Sequence, residues 1–337
     1  MLRCCITWTR TNRLNRLGTV TASVRLRKIL SCKVSHMNRF HGIVGAPELE
    51  AQAGTSFRLT QRLIRIDAQG GFRDLALAQL DGTLLALDWV VGAAHHIWGS
   101  AVLVAPGVAL TARHVVDEMR DNPGGLLALG FHNDGMVIWH AKDFTYIDDS
   151  DLSFLTLVNA TAQPANAAKK AISINVATLA ARQPLMGESI SLVGFKAHET
   201  KFEYLTHGRG AAVALLGSVG PVIDVYREGR DRSRRNPSAG VSAKTVGGMS
   251  GGAAFDAHGR LIGIITSGLG EETSFISLSW PSVFTPIQVA WPPGHVQEPT
   301  TLHAMAQQGL CGIEHIDAVN SHVGENGELL VSLDYDL

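Results

Sequence analysis

Three side chains could together perform nucleophilic acyl transfer: His114 in Leu110-Thr-Ala-Arg-His-Val-Val116, Asp151 in Asp151-Leu-Ser-Phe-Leu155, and Ser250 in Gly247-Gly-Met-Ser-Gly-Gly252. A serine hydroxyl is a poor nucleophile at neutral pH. It needs an imidazole within hydrogen-bond reach to take its proton and later return it to the leaving amine. A carboxylate must hold the other ring N–H, fixing the tautomer and stabilising the imidazolium. The glycines around Ser250 answer a separate need, because backbone N–H groups in a tight turn can receive the oxyanion of a tetrahedral intermediate; Gly248 and Ser250 are the expected donors. Gly251 and Gly252 allow a substrate backbone to approach closely. Taken singly, each segment reads as an ordinary turn or a structural residue. Their conjunction, in the order His, Asp, Ser at separations of 37 and 99 residues, is what points to chemistry.

The elements that must position these groups read as short strands. From about residue 56 the chain alternates apolar runs with Gly, Pro and Asp punctuation, an all-β pattern. Leu75–Leu80, Asp81-Gly82 and Thr83–Val91 predict a hairpin, and Ser100–Ala105, Pro106-Gly107 and Val108–Thr111 predict another. Further strands are expected at Met136–Trp139, Leu152–Val158, Ser189–Gly194, Gly210–Leu216, Pro221–Tyr226, Ala253–Phe255, Leu261–Thr266 and Thr273–Leu278. Helical signals are sparse: Ala167–Leu179, Pro281–Val289 and Thr300–Leu310. Many short strands at this spacing imply barrels or sandwiches.

The three motifs resemble the signature stretches of the trypsin-like (chymotrypsin-fold) serine peptidases, above all their disulfide-free bacterial branch. Gly99–Gly107 resembles the strand and turn before the histidine motif, and Gly187–Gly194 the opening of a second barrel; the resemblance spans roughly 85–290. It implies two packed six-stranded antiparallel barrels with short C-terminal helices, His114 and Asp151 from the first and Ser250 from the second. It also implies a serine endopeptidase acting through an acyl-enzyme on protein or peptide substrates, with no cofactor. The alternative is a catalytically silent peptide-binding or scaffold protein on the same fold. By the same resemblance the primary specificity pocket lies between Lys244–Val246 and Thr266-Ser267-Gly268, where Thr266 and Gly268 pair with substrate backbone and Lys244 is a candidate for favouring an acidic side chain. Two departures stand out. Arg113 precedes the histidine, and Met249 occupies the place where secreted digestive members carry an aspartate that pairs with a newly cut N-terminus. Activation by propeptide cleavage is therefore not expected, and Ile43-Val-Gly-Ala46 is a chance likeness to a mature terminus.

Of 337 residues, 45% are hydrophobic and 18% charged, the profile of a folded chain. The net charge of -1 hides a split: residues 1–36 carry eight Arg or Lys and no acid, and the remaining 21 basic against 30 acidic residues give -9. An acidic body disfavours nucleic acid as a partner. Four parts are expected: a basic, unfolded extension at 1–36, an N-terminal segment with a hairpin at 37–84, the peptidase domain at 85–290, and an appendage at 295–337 after Pro292-Pro293-Gly294. The extension reads either as an organelle-import presequence or as a stretch upstream of a natural start at Met37. Three of the four cysteines lie in it, leaving Cys311 alone in a body that suits a reducing compartment, with the cytoplasm favoured. No run is apolar enough to span a bilayer. His95-His96 lacks partners at metal-ligand spacing, so no metal is expected. The loop Arg227–Pro237 reads as an exposed charged turn, with an anionic-ligand site as the lesser reading. Oligomeric state is left open.

Overall fold

The computed structural model describes residues 6–8, 20–26, 57–66, 72–75, 80–91, 94–120, 125–132, 135–147, 150–160, 172–200, 203–205, 208–210, 213–230, 235–269, 272–290, 299–323 and 328–334. Apolar strands broken by turn residues have curled into two closed six-stranded antiparallel barrels. In the first, Ala94–Ala105, Leu84–Val91, Gly125–His132, Gly135–Tyr146, Leu152–Asn159 and Val108–Ala112 follow one another, and Val108–Ala112 closes the ring by pairing Leu110 with Val102. In the second the order is Ser189–Phe195, Leu215–Tyr226, Ser238–Val241, Thr273–Leu278, Leu261–Leu269 and Ala253–Phe255, closed by pairing Ala253 with Val193. Register shifts at Leu87/Asp88, Leu103/Ala105 and Ile265/Ser267 supply the local bends that closure requires.

One continuous core fills and joins the barrels, with Trp139, Phe154 and Leu110 buried in the first and Phe195 and Phe255 in the second. Val108–Ala112 is buried along its whole length, so both of its faces are covered and a strictly alternating pattern is absent.

The expected turn at Asp81-Gly82 forms, both residues at positive φ, but the hairpin around it does not. Both edges of Leu84–Val91 are taken, by Ala94–Ala105 and Gly125–His132. Leu75 instead donates its N–H to Leu215 O on the second barrel. The turn chemistry is local, whereas the choice of partner is set by barrel closure. The second hairpin forms as expected. Ile172–Ala180 is a strand rather than a helix, paired in parallel with Phe57–Arg62; its β-branched residues outweigh the alanines. A single strand, Leu215–Tyr226, replaces the two expected there, because a bulge between Val222 and Asp224 lets pairing run past Gly220-Pro221. The helix Leu302–Gln307 is present, capped by Thr301 Oγ1 accepting from Ala304 N–H. Residues 43–46, 148–149 and 291–298 lie outside the described residues. Two N-terminal strands, Ile6–Trp8 and Val20–Leu26, join Val319–Val323 and Glu328–Leu333 in a separate four-stranded sheet.

Candidate active site

The chain leaves the first barrel at Ala112 and turns directly into the helix Arg113–Arg120, which the sequence did not announce because Thr-Ala-Arg-His carries no strong capping signal. His114 therefore sits in the first turn of a helix. A tight turn, with Ser150 N–H donating to Ile147 O and Ile147 N–H to Leu152 O, presents Asp151 at the start of the strand Leu152–Asn159. The two meet across 37 residues. His114 Nδ1 lies 2.9 Å from Asp151 Oδ2 and 3.1 Å from Oδ1, and the His114 backbone N–H donates to Oδ1 at 3.0 Å. Arg113 N–H donates to the Asp151 carbonyl, so the pair is fixed by backbone as well as side chain. The Arg113 guanidinium turns elsewhere, pairing with Asp117 at 3.2 Å and lying 5.0 Å from the Tyr146 ring centroid.

Ser250 comes from the second barrel, on a loop whose shape leaves no room for larger residues. Gly248 and Gly251 have φ of +91° and +81°, and a Cβ would come within 2.1 Å of Ala197 N at the first and 2.0 Å of Ser100 O at the second. The N–H groups of Met249, Gly251 and Gly252 donate to Val246, Ile265 and Met249 carbonyls. Those of Gly248 and Ser250 donate to none of the described residues. The side chain of Met249 is fully buried, against Gly194, which explains how an apolar residue fits where an acid would need a charged partner.

Histidine and serine converge on one strand. A Cβ placed on Gly99 would lie 2.5 Å from Val115 Cγ1, next to His114, and 3.4 Å from Ser250 O. The neighbouring Ser100 ties the barrels together: its N–H donates to Ser250 O at 2.9 Å, its hydroxyl donates to Gly248 O at 2.9 Å, and the same oxygen accepts from Phe195 N–H at 2.8 Å. Thr111 Oγ1 donates to Ser100 O. Ser100 was not among the residues picked out from sequence; a fully buried serine inside an apolar strand is the only signal that could have marked it.

Residues 266–268 continue past Ser250 as an edge. Ile265 still pairs with Gly252, but beyond it Ser267 and Gly268 pair only with Phe275 and Ser274 among the described residues. Thr266 is buried, its hydroxyl donating to Phe275 O. Gly268 faces Thr245, whose Oγ1 a Cβ there would meet at 3.2 Å, and Thr245 Oγ1 is 2.8 Å from Ser274 Oγ. Thr245 and Ser274 thus place two hydroxyls beside Gly268. The Lys244 ammonium lies 5.9 Å from the Phe72 ring centroid, and its carbonyl accepts from Ser218 Oγ.

Elsewhere, His95 has a carboxylate partner that the sequence did not reveal: its Nδ1 is 2.7 Å from Oδ2 of the fully buried Asp88, whose pKa burial raises and His95 partly restores. Among the described residues no group of three potential ligands could hold a metal ion, and no helix is long and apolar enough to cross a membrane.

Two closed barrels with a histidine–carboxylate pair and a glycine-rich serine loop at their seam define the chymotrypsin-like fold. Residues 99–264 match the family model of the trypsin-like peptidase domain. No curated protein matches the chain. Among solved structures, the inactive form of the Rv3671c protease of M. tuberculosis is 14% identical, with a TM-score of 0.37 over 59% of this chain and 84% of the other. Deg5 is 15% identical, with a TM-score of 0.40 over 59% and 84%.

Proposed function

We propose that the protein is a serine endopeptidase in which Ser250 is the nucleophile, His114 the general acid and base, and Asp151 the carboxylate that orients the imidazole. The observation that carries this reading is the contact of His114 Nδ1 with Asp151 at 2.9 Å, on a helix whose next residue and the Ser250 carbonyl both abut Gly99. With Nδ1–H held by the carboxylate, Nε2 is the ring atom left to take the serine proton. Ser250 Oγ attacks the scissile carbonyl carbon and its proton passes to His114. The oxyanion is received by the N–H groups of Gly248 and Ser250, which the loop keeps out of its own hydrogen bonding. Collapse expels the amine, which takes the proton from His114, and leaves an acyl-enzyme; water then attacks, deprotonated by the same imidazole, and restores Ser250. The substrate is a protein or peptide that lies along 266–268 as an added strand.

The test is covalent. The chain is expected to react with a fluorophosphonate probe at Ser250, located by mass spectrometry, and Ser250→Ala to lose both labelling and hydrolysis at an unchanged circular dichroism spectrum. Labelling that survives in Ser250→Ala would overturn the assignment.

A further inference from the structure

Four successive carbonyls of the serine loop are taken. Gly247 O accepts from Ala197 N–H at 2.8 Å, Gly248 O from the Ser100 hydroxyl at 2.9 Å, Met249 O from Gly252 N–H at 2.9 Å and Ser250 O from Ser100 N–H at 2.9 Å. A trans peptide points its C=O and its N–H in opposite directions, so pinning the carbonyl of one residue aims the N–H of the next. Ser100, on the carbonyls of Gly248 and Ser250, aims the N–H groups of Met249 and Gly251, which donate to Val246 O and Ile265 O. The two N–H groups proposed as oxyanion donors are aimed by other bonds. Met249 O, tied within the loop, aims Ser250 N–H. Gly247 O aims Gly248 N–H, and its partner comes from outside the loop.

The Gly247–Gly248 peptide is also the one freest to turn. A Cβ on Gly247 would meet nothing within 4 Å, and a peptide flanked by two glycines can rotate where side chains would oppose it. Turned over, it would set Gly247 O where Gly248 N–H now points and offer an oxyanion an acceptor in place of a donor. Ala197 N–H opposes that rotation, and Ala197 is itself braced by both barrels. Just before it, Phe195 N–H donates to Ser100 Oγ and Lys196 N–H to Ala214 O. Just after it, His198–Thr200 adds as a strand to Ala94–Ala105 of the first barrel, His198 opposite Ile97 and Thr200 opposite His95. We propose that Ala197 is a positioning residue: its N–H, braced by the strand His198–Thr200, keeps the Gly247–Gly248 peptide in the orientation that offers Gly248 N–H to an oxyanion. This deepens the peptidase reading and rests on it.

The test exchanges one backbone group. In the full chain, ribosomal incorporation of lactic acid at position 197 turns the amide into an ester, which removes the N–H and leaves the methyl side chain. The second-order rate of fluorophosphonate labelling at Ser250 is then followed against pH, since the phosphoryl oxygen of the probe calls on the same donors as an oxyanion. The ester chain is expected to label about 10²-fold more slowly, the lower end of what losing one donor costs in a protease with an established oxyanion hole. The pH midpoint of labelling is expected to stay in place, because His114 and Asp151 are untouched. Ala197→Ser, which keeps the N–H, is expected to restore the parental rate. A parental rate in the ester chain overturns the proposal, and so does a fall accompanied by a shifted midpoint or an Ala197→Ser chain as slow as the ester. Where the ester chain loses the parental circular dichroism spectrum, Glu199→Pro decides, because it interrupts the pairing opposite His96 and leaves the Ala197 N–H in the chain. Slower labelling at an unmoved midpoint then supports the brace, and a parental rate overturns it. A parent chain that does not label at all sinks the peptidase reading and this one with it, whereas a labelled parent matched by its ester chain sinks this one alone.

Discussion

Asp151 and Ser100 support the same site by different means, and the difference is measurable. Asp151 accepts from both the ring and the backbone of His114, so Asp151→Asn keeps the shape but offers the ring an amide in place of a charge. In a protease with an established Ser-His-Asp triad the corresponding exchange costs about 10⁴-fold in kcat through the wrong tautomer. A loss of that order is expected here in peptide hydrolysis, with KM little changed. Ser100 is fully buried. Its hydroxyl satisfies Gly248 O and Phe195 N–H, both on the second barrel, and Ser100→Ala leaves two buried groups without that partner. Stability is expected to fall by about 2 kcal/mol in urea titration, and, on the proposed mechanism, kcat to drop while KM holds, because the loop proposed to present the oxyanion donors is loosened rather than the proposed binding edge. Restoration of both quantities to parental values by Ser100→Thr would fit a positioning role. A kcat unaffected by Ser100→Ala would show that the glycine contacts alone hold the loop.

At the scale of elements, the ionic cluster at the turn between Ala253–Phe255 and Leu261–Leu269 is as informative as the site. Asp256 has a fully buried side chain between Arg182 Nη2 at 2.9 Å and Arg260 Nε at 2.8 Å; Arg182 also pairs with Glu188, and Arg260 with Glu314. Burial alone would raise the Asp256 pKa, but the Arg260 N–H and the two guanidinium groups outweigh it and hold the pKa below 3.8. A carboxyl depressed in the folded state stabilises fully above its unfolded pKa, and that stabilisation disappears as pH falls through the folded value. Asp256→Asn is therefore expected to cost about 3 kcal/mol at pH 7, and the gap between parent and variant to narrow only below pH 4. Chemical denaturation at pH 7, 5 and 3 measures it; a gap that narrows already between pH 7 and 5 would assign the loss to another group. None of this network is legible in sequence, since its members are up to 132 residues apart and each reads as a surface charge. The barrel strands were more readable: alternation and Asp-Gly or Pro-Gly turns marked most of them, because those signals are local. Partners were not, as the Asp81-Gly82 turn shows by forming without its hairpin. The His, Asp and Ser motifs could be found because each carries its own strand or glycine context. Ser100 could not, because its contacts with Gly248 O and Phe195 N–H arise only when the second barrel is placed against the first.

Over the whole molecule, the segment 299–323 is built into the second barrel rather than hung from it. Thr300 bridges to Ile287, Gly312–Glu314 pairs with Thr178–Ala180, and Leu302 and Met305 are fully buried. Cys311 lies buried within this segment, 2% exposed, its thiol donating to Leu302 O; burial pushes its pKa up to about 12. A thiol so desolvated holds almost no thiolate at neutral pH and is sterically shielded as well. Its alkylation therefore reports opening of the segment. If the segment and the second barrel unfold as one cooperative unit, iodoacetamide modification of Cys311, followed by peptide mapping to separate it from Cys4, Cys5 and Cys32, should rise with urea along the same curve as the loss of the circular dichroism signal. If the segment opens alone, modification will precede that transition, and the region that carries Glu314 to Arg260 will have to be regarded as a separately melting cover on the barrel that bears Ser250.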